Sequence, residues 1–307
     1  MSGPADGAPV AGRVAALTGA AAGGVRPVGG GSICDAYRIT LSDGDGPRTV
    51  FAKTLDPAPE GFFAAEAAGL ELLASTGAVA VPRVLAAEPD VLVLEWVEPG
   101  RADAAQAERL GRDLAALHAS PARAWGNPDP GRPAYLGSVP LPSPAEPPSG
   151  PEDWPAFHAE HRLLPLLRQA VDGGGIGAPD ARDVERLCEE LCADPADGTG
   201  VSGPPQPPAV VHGDLWSGNV LWAADGRARL IDPAVQGGHP EADLAMLELF
   251  GCPHLDRLLA AYQEVRPVPG RRERLPLHQL QYLLVHAVLF GSGYGGRCGA
   301  AARAALG

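Results

Sequence analysis

One short stretch of the chain carries the residue types that move a phosphoryl group. Residues 210–232 read VVHGDLWSGNVLWAADGRARLID and hold His212, Asp214, Asn219 and Asp232. An H-x-D pair, an Asn shortly after that Asp, and a later Asp closing a strand follow the order base, metal ligand, metal ligand. In that order Asp214 orients and deprotonates a hydroxyl. Asn219 and Asp232 are oxygen ligands for Mg²⁺, which completes its shell with water and phosphate.

A local fold has to bring these residues together. Residues 220–222 and 229–231 have the composition of short strands. Asp225-Gly226 between them signals a two-residue hairpin turn. That register sets Ala224 opposite Arg227 and Asn219 opposite Asp232.

The second chemical signal is a lysine. Of 24 Lys and Arg residues, Lys53 is the single Lys and the other 23 are Arg. It lies on a predicted strand over 49–55, after the glycine run Gly29-Gly30-Gly31-Ser32. Glycines let backbone N–H groups approach phosphates. No Lys-Ser/Thr follows them, so this is not a Walker loop. A glycine-rich turn followed by Lys on a separate strand is the kinase arrangement. The spacing predicts a helix over 60–74, with Phe63, Ala67, Leu70 and Ala74 on one face. Glu66 falls within that apolar arc and needs a partner there. Lys53 is the expected one, and Glu71 is the fallback.

Residues 91–97 form a buried type of strand running into Glu98-Pro99-Gly100. This position suits a hinge where backbone groups of Glu95 and Val97 pair with an adenine edge. Asp103 and Gln106 open the next helix as a capping-box-like pair, and His118 is expected simply to end it. Further helices are expected over 14–22, 154–170, 184–192, 244–250 and 277–289, the last carrying His278, Tyr282 and His286. Residues 121–151, 173–179, 194–208 and 262–269 read as irregular. Asp243 is expected to brace the catalytic loop by hydrogen bonds.

The bulk properties exclude several classes. A length of 307 residues with 45% hydrophobic content supports a real core. A net charge of −13 argues against binding a nucleic-acid backbone. The five Cys show neither a zinc spacing nor a disulfide framework, so reduced thiols are expected, and Cys34 reads as an inert one. There is neither an apolar leader nor an 18-residue apolar run, so neither secretion nor a membrane span is expected. A cytoplasmic monomer is the default expectation.

Taken together, GGGSICDAY, the Lys53 strand, LGRDLAALH, HGDLWSGN, IDPAVQGGHPEADLAMLELFG and HAVLFGSGY resemble the fructosamine kinase (ketosamine-3-kinase) family. That family belongs to the aminoglycoside-phosphotransferase branch of the protein-kinase-like superfamily. The likeness runs from about residue 25 to 295. It implies an α/β (α+β), two-lobed fold: an N-lobe over 1–96 with sheet, Gly-rich loop and one main helix, and a mainly helical C-lobe over 97–307. It implies ATP- and Mg²⁺-dependent phosphorylation of a ketosamine hydroxyl, classically O3, on a small ketosamine or a glycated protein, in deglycation repair. By match, Asp214 is the base, Asn219 and Asp232 hold Mg²⁺, Lys53 binds phosphates beside Glu66, and Trp216 and His286 line the sugar pocket. Gly30, Gly31, Ser32, Glu95 and Val97 complete the nucleotide site. Pro240 replaces an Arg of many members, Val285 an Asn, and residues 137–150 are unusually Pro-rich. The alternatives are a kinase acting on another hydroxyl compound, such as an aminoglycoside, and a non-catalytic pseudokinase.

Overall fold

Along residues 35–43 every second side chain turns inward, and Tyr37, Ile39 and Leu41 are buried. This period of two makes a strand that presents one face to a core. The computed structural model describes residues 7–29, 33–44, 46–291 and 293–307. Its first part is a five-stranded antiparallel sheet of β1 (Ala21–Pro27), β2 (Asp35–Asp43), β3 (Gly46–Thr54), β4 (Val84–Glu88) and β5 (Val91–Glu95), in the order β1-β2-β3-β5-β4.

The register of this sheet places Lys53. Val50 and Ala52 of β3 join Tyr37, Ile39, Leu41, Val91 and Val93 on one face, under Val14 of α1 (Ala8–Thr18). Lys53 therefore faces the other way. There Leu92 and Leu94 pack against Phe62, Phe63, Ala67 and Leu70 of α2 (Phe62–Ser75). A slip of one residue would turn the ammonium into the opposite core. Helix α1 begins at Ala8 and stops at Thr18, earlier at both ends than the predicted 14–22, because Gly19 closes it in the left-handed conformation.

The rest is mainly helical. Asp103 caps α3 (Ala104–Leu117) by accepting the Gln106 N–H at 2.8 Å. A small hairpin of β6 (Tyr135–Leu136) and β7 (Val139–Pro140) interrupts the segment expected to be irregular. Next come α4 (Trp154–His158), a π-helical turn over Ala159–Leu163, α5 (Leu164–Asp172) and α6 (Ala178–Cys192). Then follow β8 (Ala209–Val211), β9 (Val220–Trp222), β10 (Ala228–Leu230) and β11 (Gln236–Gly238), with β8 pairing β11 and β9 pairing β10. The chain ends in α7 (Glu241–Phe250), α8 (Leu255–Val265), α9 (Arg271–Phe290) and α10 (Gly295–Leu306).

Two of these helices correct the expectations. Tyr262 belongs to α8 rather than to a loop, and the Ala-rich tail is helical, so α9 is not the last helix. Tyr262 is fully buried against Leu110, Leu114 and Leu117 of α3, and Cys298 and Ala302 of α10 join the core of α5, α6 and α9. No described helix is long and apolar enough to cross a membrane.

Candidate active site

The β9–β10 hairpin presents the two ends of the motif, but not in the expected register. Trp222 pairs with Ala228 and Val220 with Leu230, which sets Asn219 against Ile231 rather than Asp232. The Ile231 N–H donates to the Asn219 carbonyl at 3.0 Å. The cause is the turn. Gly226 donates its N–H to Ala223 O at 3.1 Å and adopts φ +80°, so Asp225-Gly226 belongs to a turn with one extra residue.

Asp232 has φ 54°, a left-handed conformation unusual for a side chain other than glycine. It lies just beyond β10, with Ile231 between, and carries its half-exposed carboxylate onto the cavity wall. Asn219 Nδ2 then donates to Asp214 O at 2.8 Å and Asp214 Oδ2 at 3.1 Å, and lies 3.5 Å from Asp232 O. Asp214, Asn219 and Asp232 thus share one wall of a cavity of about 490 Å³.

Lys53 faces them. Its Nζ donates to Glu66 Oε1 and Oε2, both at 2.9 Å, and to Asp232 Oδ1 at 3.0 Å. Glu66, not Glu71, is therefore its partner on α2. Burial on its own lowers the Lys53 pKa, but the charges of Glu66 and Asp232 outweigh it and hold the group as an ammonium. Burial pushes the Asp214 carboxyl up to about 7, with the Asp232 charge adding to the rise.

A buried brace fixes the loop that carries Asp214. Asp243 Oδ2 accepts the His212 N–H at 2.7 Å, and Oδ1 accepts the Gly213 N–H at 2.9 Å. His118 Nε2 meets Asp243 Oδ2 at 3.2 Å, while its Nδ1 meets the Tyr262 hydroxyl at 2.9 Å. His212 Nε2 reaches Ile231 O at 3.0 Å and its Nδ1 accepts the Asp214 N–H at 3.3 Å, which ties the loop to the strand before Asp232. Gly213 has φ +81°, and a Cβ there would stand 2.1 Å from Ala234 O, so only glycine fits. Asp243 was expected in this role. His118 and Tyr262 were not: a helix-end His carries no periodic signal of its own, and Tyr262, although it continues the i, i+3, i+4, i+7 apolar spacing of Leu255, Leu258 and Leu259, stands just before a Pro-rich segment that reads as a loop.

The remaining expected residues fall as follows. Glu95 and Val97 line the cavity. The Glu95 N–H is bonded to Arg83 O at 2.9 Å, which leaves its carbonyl. Residues 98–100 are tied to the hairpin by Gly100 N to Trp222 O at 2.6 Å and Ala224 N to Glu98 O at 2.9 Å. Trp216 lines the cavity and is 38% exposed, its indole lying where a Cβ on Gly218 would collide. His286 stands further out, 4.7 Å from the Phe250 ring that meets Trp216 edge-on at 6.4 Å. Gly30, Gly31 and Ser32 lie outside the described residues. Pro240 and Val285 are buried, and neither is among the described residues that line the cavity. Gly137 and Asn127 bring the segment over 121–151 to its wall.

The family model for fructosamine kinase matches residues 12–305. The chain belongs to the fructosamine kinase family. A probable ketoamine kinase of Thermus thermophilus is 40% identical over 279 residues, covering 89% of this chain and 91% of that relative. The crystal structure of a Thermobifida fusca protein, provisionally named a fructosamine-3-kinase, matches with a TM-score of 0.85 and 43% identity, covering 97% of this chain and 98% of that one. A macrolide 2′-phosphotransferase of Brachybacterium faecium, at 19% identity and a TM-score of 0.59 over 99% of this chain and 98% of its own, shares the fold. The fold of this fructosamine kinase family member is thus that of the protein-kinase-like phosphotransferases, a small sheet lobe with one main helix beside a larger helical lobe.

Proposed function

We propose that this chain phosphorylates a sugar hydroxyl, O3 in the first instance, of ketosamines such as fructosamines or ribulosamines, with ATP as donor and Mg²⁺ as its cation. The observation that carries the reading is the convergence of Lys53, Glu66, Asp214, Asn219 and Asp232 on one cavity, in a chain of this family. In this reading residues 1–96 hold the nucleotide and residues 97–307 supply the catalytic loop and the acceptor site.

The donor set fits a hard divalent cation. Three carboxylates, Glu66, Asp214 and Asp232, face the single ammonium of Lys53, so the cavity carries surplus negative charge on oxygen atoms. Asn219 Oδ1 and the Asp232 carboxylate would hold the cation. Mg-ATP, when bound, supplies the phosphoryl group and neutralises charge that develops on its oxygens.

The protein's own part is positioning. Glu66 fixes the Lys53 ammonium, which would meet the donor phosphates as a point charge. Asn219 Nδ2 holds the Asp214 side chain, so that Oδ1 is offered to the acceptor hydroxyl as the proton leaves it. Asp243 keeps the loop under Asp214 from shifting. Trp216 offers an aromatic face to a sugar ring, with His286 behind Phe250 shaping the rim. Each contribution is orientation or charge placement, the two means by which phosphoryl transfer is accelerated.

The test is ADP release with Mg-ATP on ribulose-lysine and fructose-lysine, beside a panel of aminoglycosides, with Asp214→Asn as blank. Ketosamine-dependent ADP that falls by about 10² to 10⁴-fold in the variant supports the reading. Turnover of aminoglycosides alone would overturn the acceptor assignment and leave the transfer chemistry standing.

A further inference from the structure

Away from the cavity, the packing around Trp154 leaves buried imidazoles without partners. His158 Nε2 and both ring nitrogens of His278 are buried and make no hydrogen bond among the described residues. Buried polar atoms are nearly always satisfied, by protein, water or an ion. His278 lies 4.5 Å from the His239 ring, centroid to centroid, and its Nε2 is 3.8 Å from Glu241 Oε2.

We propose that His239, Glu241 and His278 form a binding site for one borderline divalent cation of the Zn²⁺ class. One ligand atom from each of the three lies within 4.8 Å of the other two, and all three residues are buried. Tetrahedral zinc with bonds of 2.0–2.1 Å sets its ligand atoms about 3.4 Å apart, so the side chains need only close by rotamer adjustment. Two imidazoles and a carboxylate with an open position suit zinc, and favour it over Mg²⁺ or Ca²⁺, which prefer all-oxygen shells.

The surroundings favour this use of Glu241. Arg274 Nη2 holds Oε1 at 2.7 Å, and Nε lies 3.1 Å from Oε1 and 3.3 Å from Oε2. The guanidinium thus grips mainly Oε1 and leaves Oε2 toward His278, the usual role of an outer partner that orients a ligating carboxylate. The Glu241 N–H contacts His239 Nδ1 at 3.3 Å, a long bond that a cation can replace. Beside His239 a cavity of about 10 Å³, lined also by Ser202 and Gln206, is the size of one water molecule. A water held there would offer a fourth ligand from the His239 side. Occupied, the site would clip the start of α7 to the middle of α9 across the Trp154 indole, 4.7 Å from His239 and 5.1 Å from His278.

The experiment takes the full chain stripped by a chelator, adds ZnCl₂ with excess MgCl₂ to block the oxygen site around Asp232, and desalts it. Bound zinc is counted by mass spectrometry and the thermal midpoint is followed against zinc concentration. We expect one zinc per chain and a rising midpoint. The double variant His239→Gln/His278→Gln should retain no zinc while its fold, read by circular dichroism, is kept. No retained zinc in the wild type, or equal retention in the variant, overturns the site. Should the variant not fold, Co²⁺ on the wild type decides. Strong visible bands without a thiolate charge-transfer band are expected, and only the weak bands of an octahedral oxygen site would refute it. This outcome is independent of ketosamine turnover, so it stands or falls apart from the kinase reading.

Discussion

Lys53 Nζ lies 3.0 Å from Asp232 Oδ1 while it donates to both oxygens of Glu66 at 2.9 Å. One ammonium therefore joins the sheet, helix α2 and Asp232 in the loop after β10. Lys53→Arg should cut kcat/KM by about 10²-fold or more, because a planar fork does not reproduce a compact point charge in this three-way contact. Lys53→Met should in addition destabilise the chain by about 3–5 kcal/mol, since it strands the buried Glu66 carboxylate. The double variant Lys53→Met/Glu66→Leu should regain stability and stay inactive. Urea melts beside ATP-dependent turnover read both effects. A double variant no more stable than Lys53→Met would show that the pair is not what holds α2.

Asp243 receives the N–H groups of His212 and Gly213 and contacts His118, all within a fully buried brace. Loss of one charge-assisted hydrogen bond costs about 1.5–3 kcal/mol, and placed on the transition state this is roughly 10 to 100-fold in kcat. His118→Leu should show that loss in kcat with KM for ATP nearly unchanged, because Lys53 is untouched. His118→Gln, which keeps a donor, should recover much of it. A rise in KM with kcat retained would assign His118 to packing alone.

Much of this arrangement was legible in the residues before any coordinates. Glu66 inside an apolar arc required a cation, and the single Lys on an adjacent strand was available to supply it. The sheet and α2 were legible because period-two and helical patterns there coincide with burial. The hairpin register was not, because Asp-Gly serves both a two-residue turn and the longer turn found here, and what separates them is Asp225, which lacks the positive φ that a two-residue type I′ turn demands. Asn219 and Asp232 still line one cavity, Asp232 with φ 54°, a conformation no sequence pattern announces. Helices α8 and α10 went unread for another reason. Pro267 and Pro269 suggested a loop around Tyr262, and an Ala-Gly tail has too little contrast between its faces. The pairing of His118 on α3 with Tyr262 on α8 joins distant elements and shows no local signal.

The contact between α3 and α8 that positions this brace depends on one glycine. A Cβ on Gly111 would stand 2.2 Å from Leu258 O, a backbone atom that cannot move aside. Gly111→Ala should force the helices apart and cost about 1–3 kcal/mol by overpacking. The expected result is a lower thermal midpoint together with a smaller kcat, because Tyr262 on α8 holds His118. Unchanged values of both would mean that the helices tolerate separation there and that the brace does not rely on their spacing.

His158 gives the clearest pH dependence. It is fully enclosed, stacked at 4.8 Å on Trp154, and burial lowers its pKa to about 3, with the nearby Arg162 charge pushing in the same direction. In the unfolded chain the same imidazole titrates near 6.5. The folded-state value is the lower one, so the stabilising contribution is complete above about pH 6.5. It is lost progressively as pH falls toward 3, because the unfolded chain gains a proton that the folded chain refuses. Between pH 6 and 4 this group alone contributes a slope of up to about 1.4 kcal/mol per pH unit. His158→Phe keeps an aromatic ring against Trp154, removes the unpartnered Nε2 and cannot titrate. Its stability curve, measured by urea denaturation in chelator from pH 7 to 4, should be flatter than that of the wild type by roughly that slope and should cross above it on the acid side. Parallel curves would show that His158 is protonated in the fold at mild acidity, and that its neutral burial is not part of what makes the protein sensitive to acid.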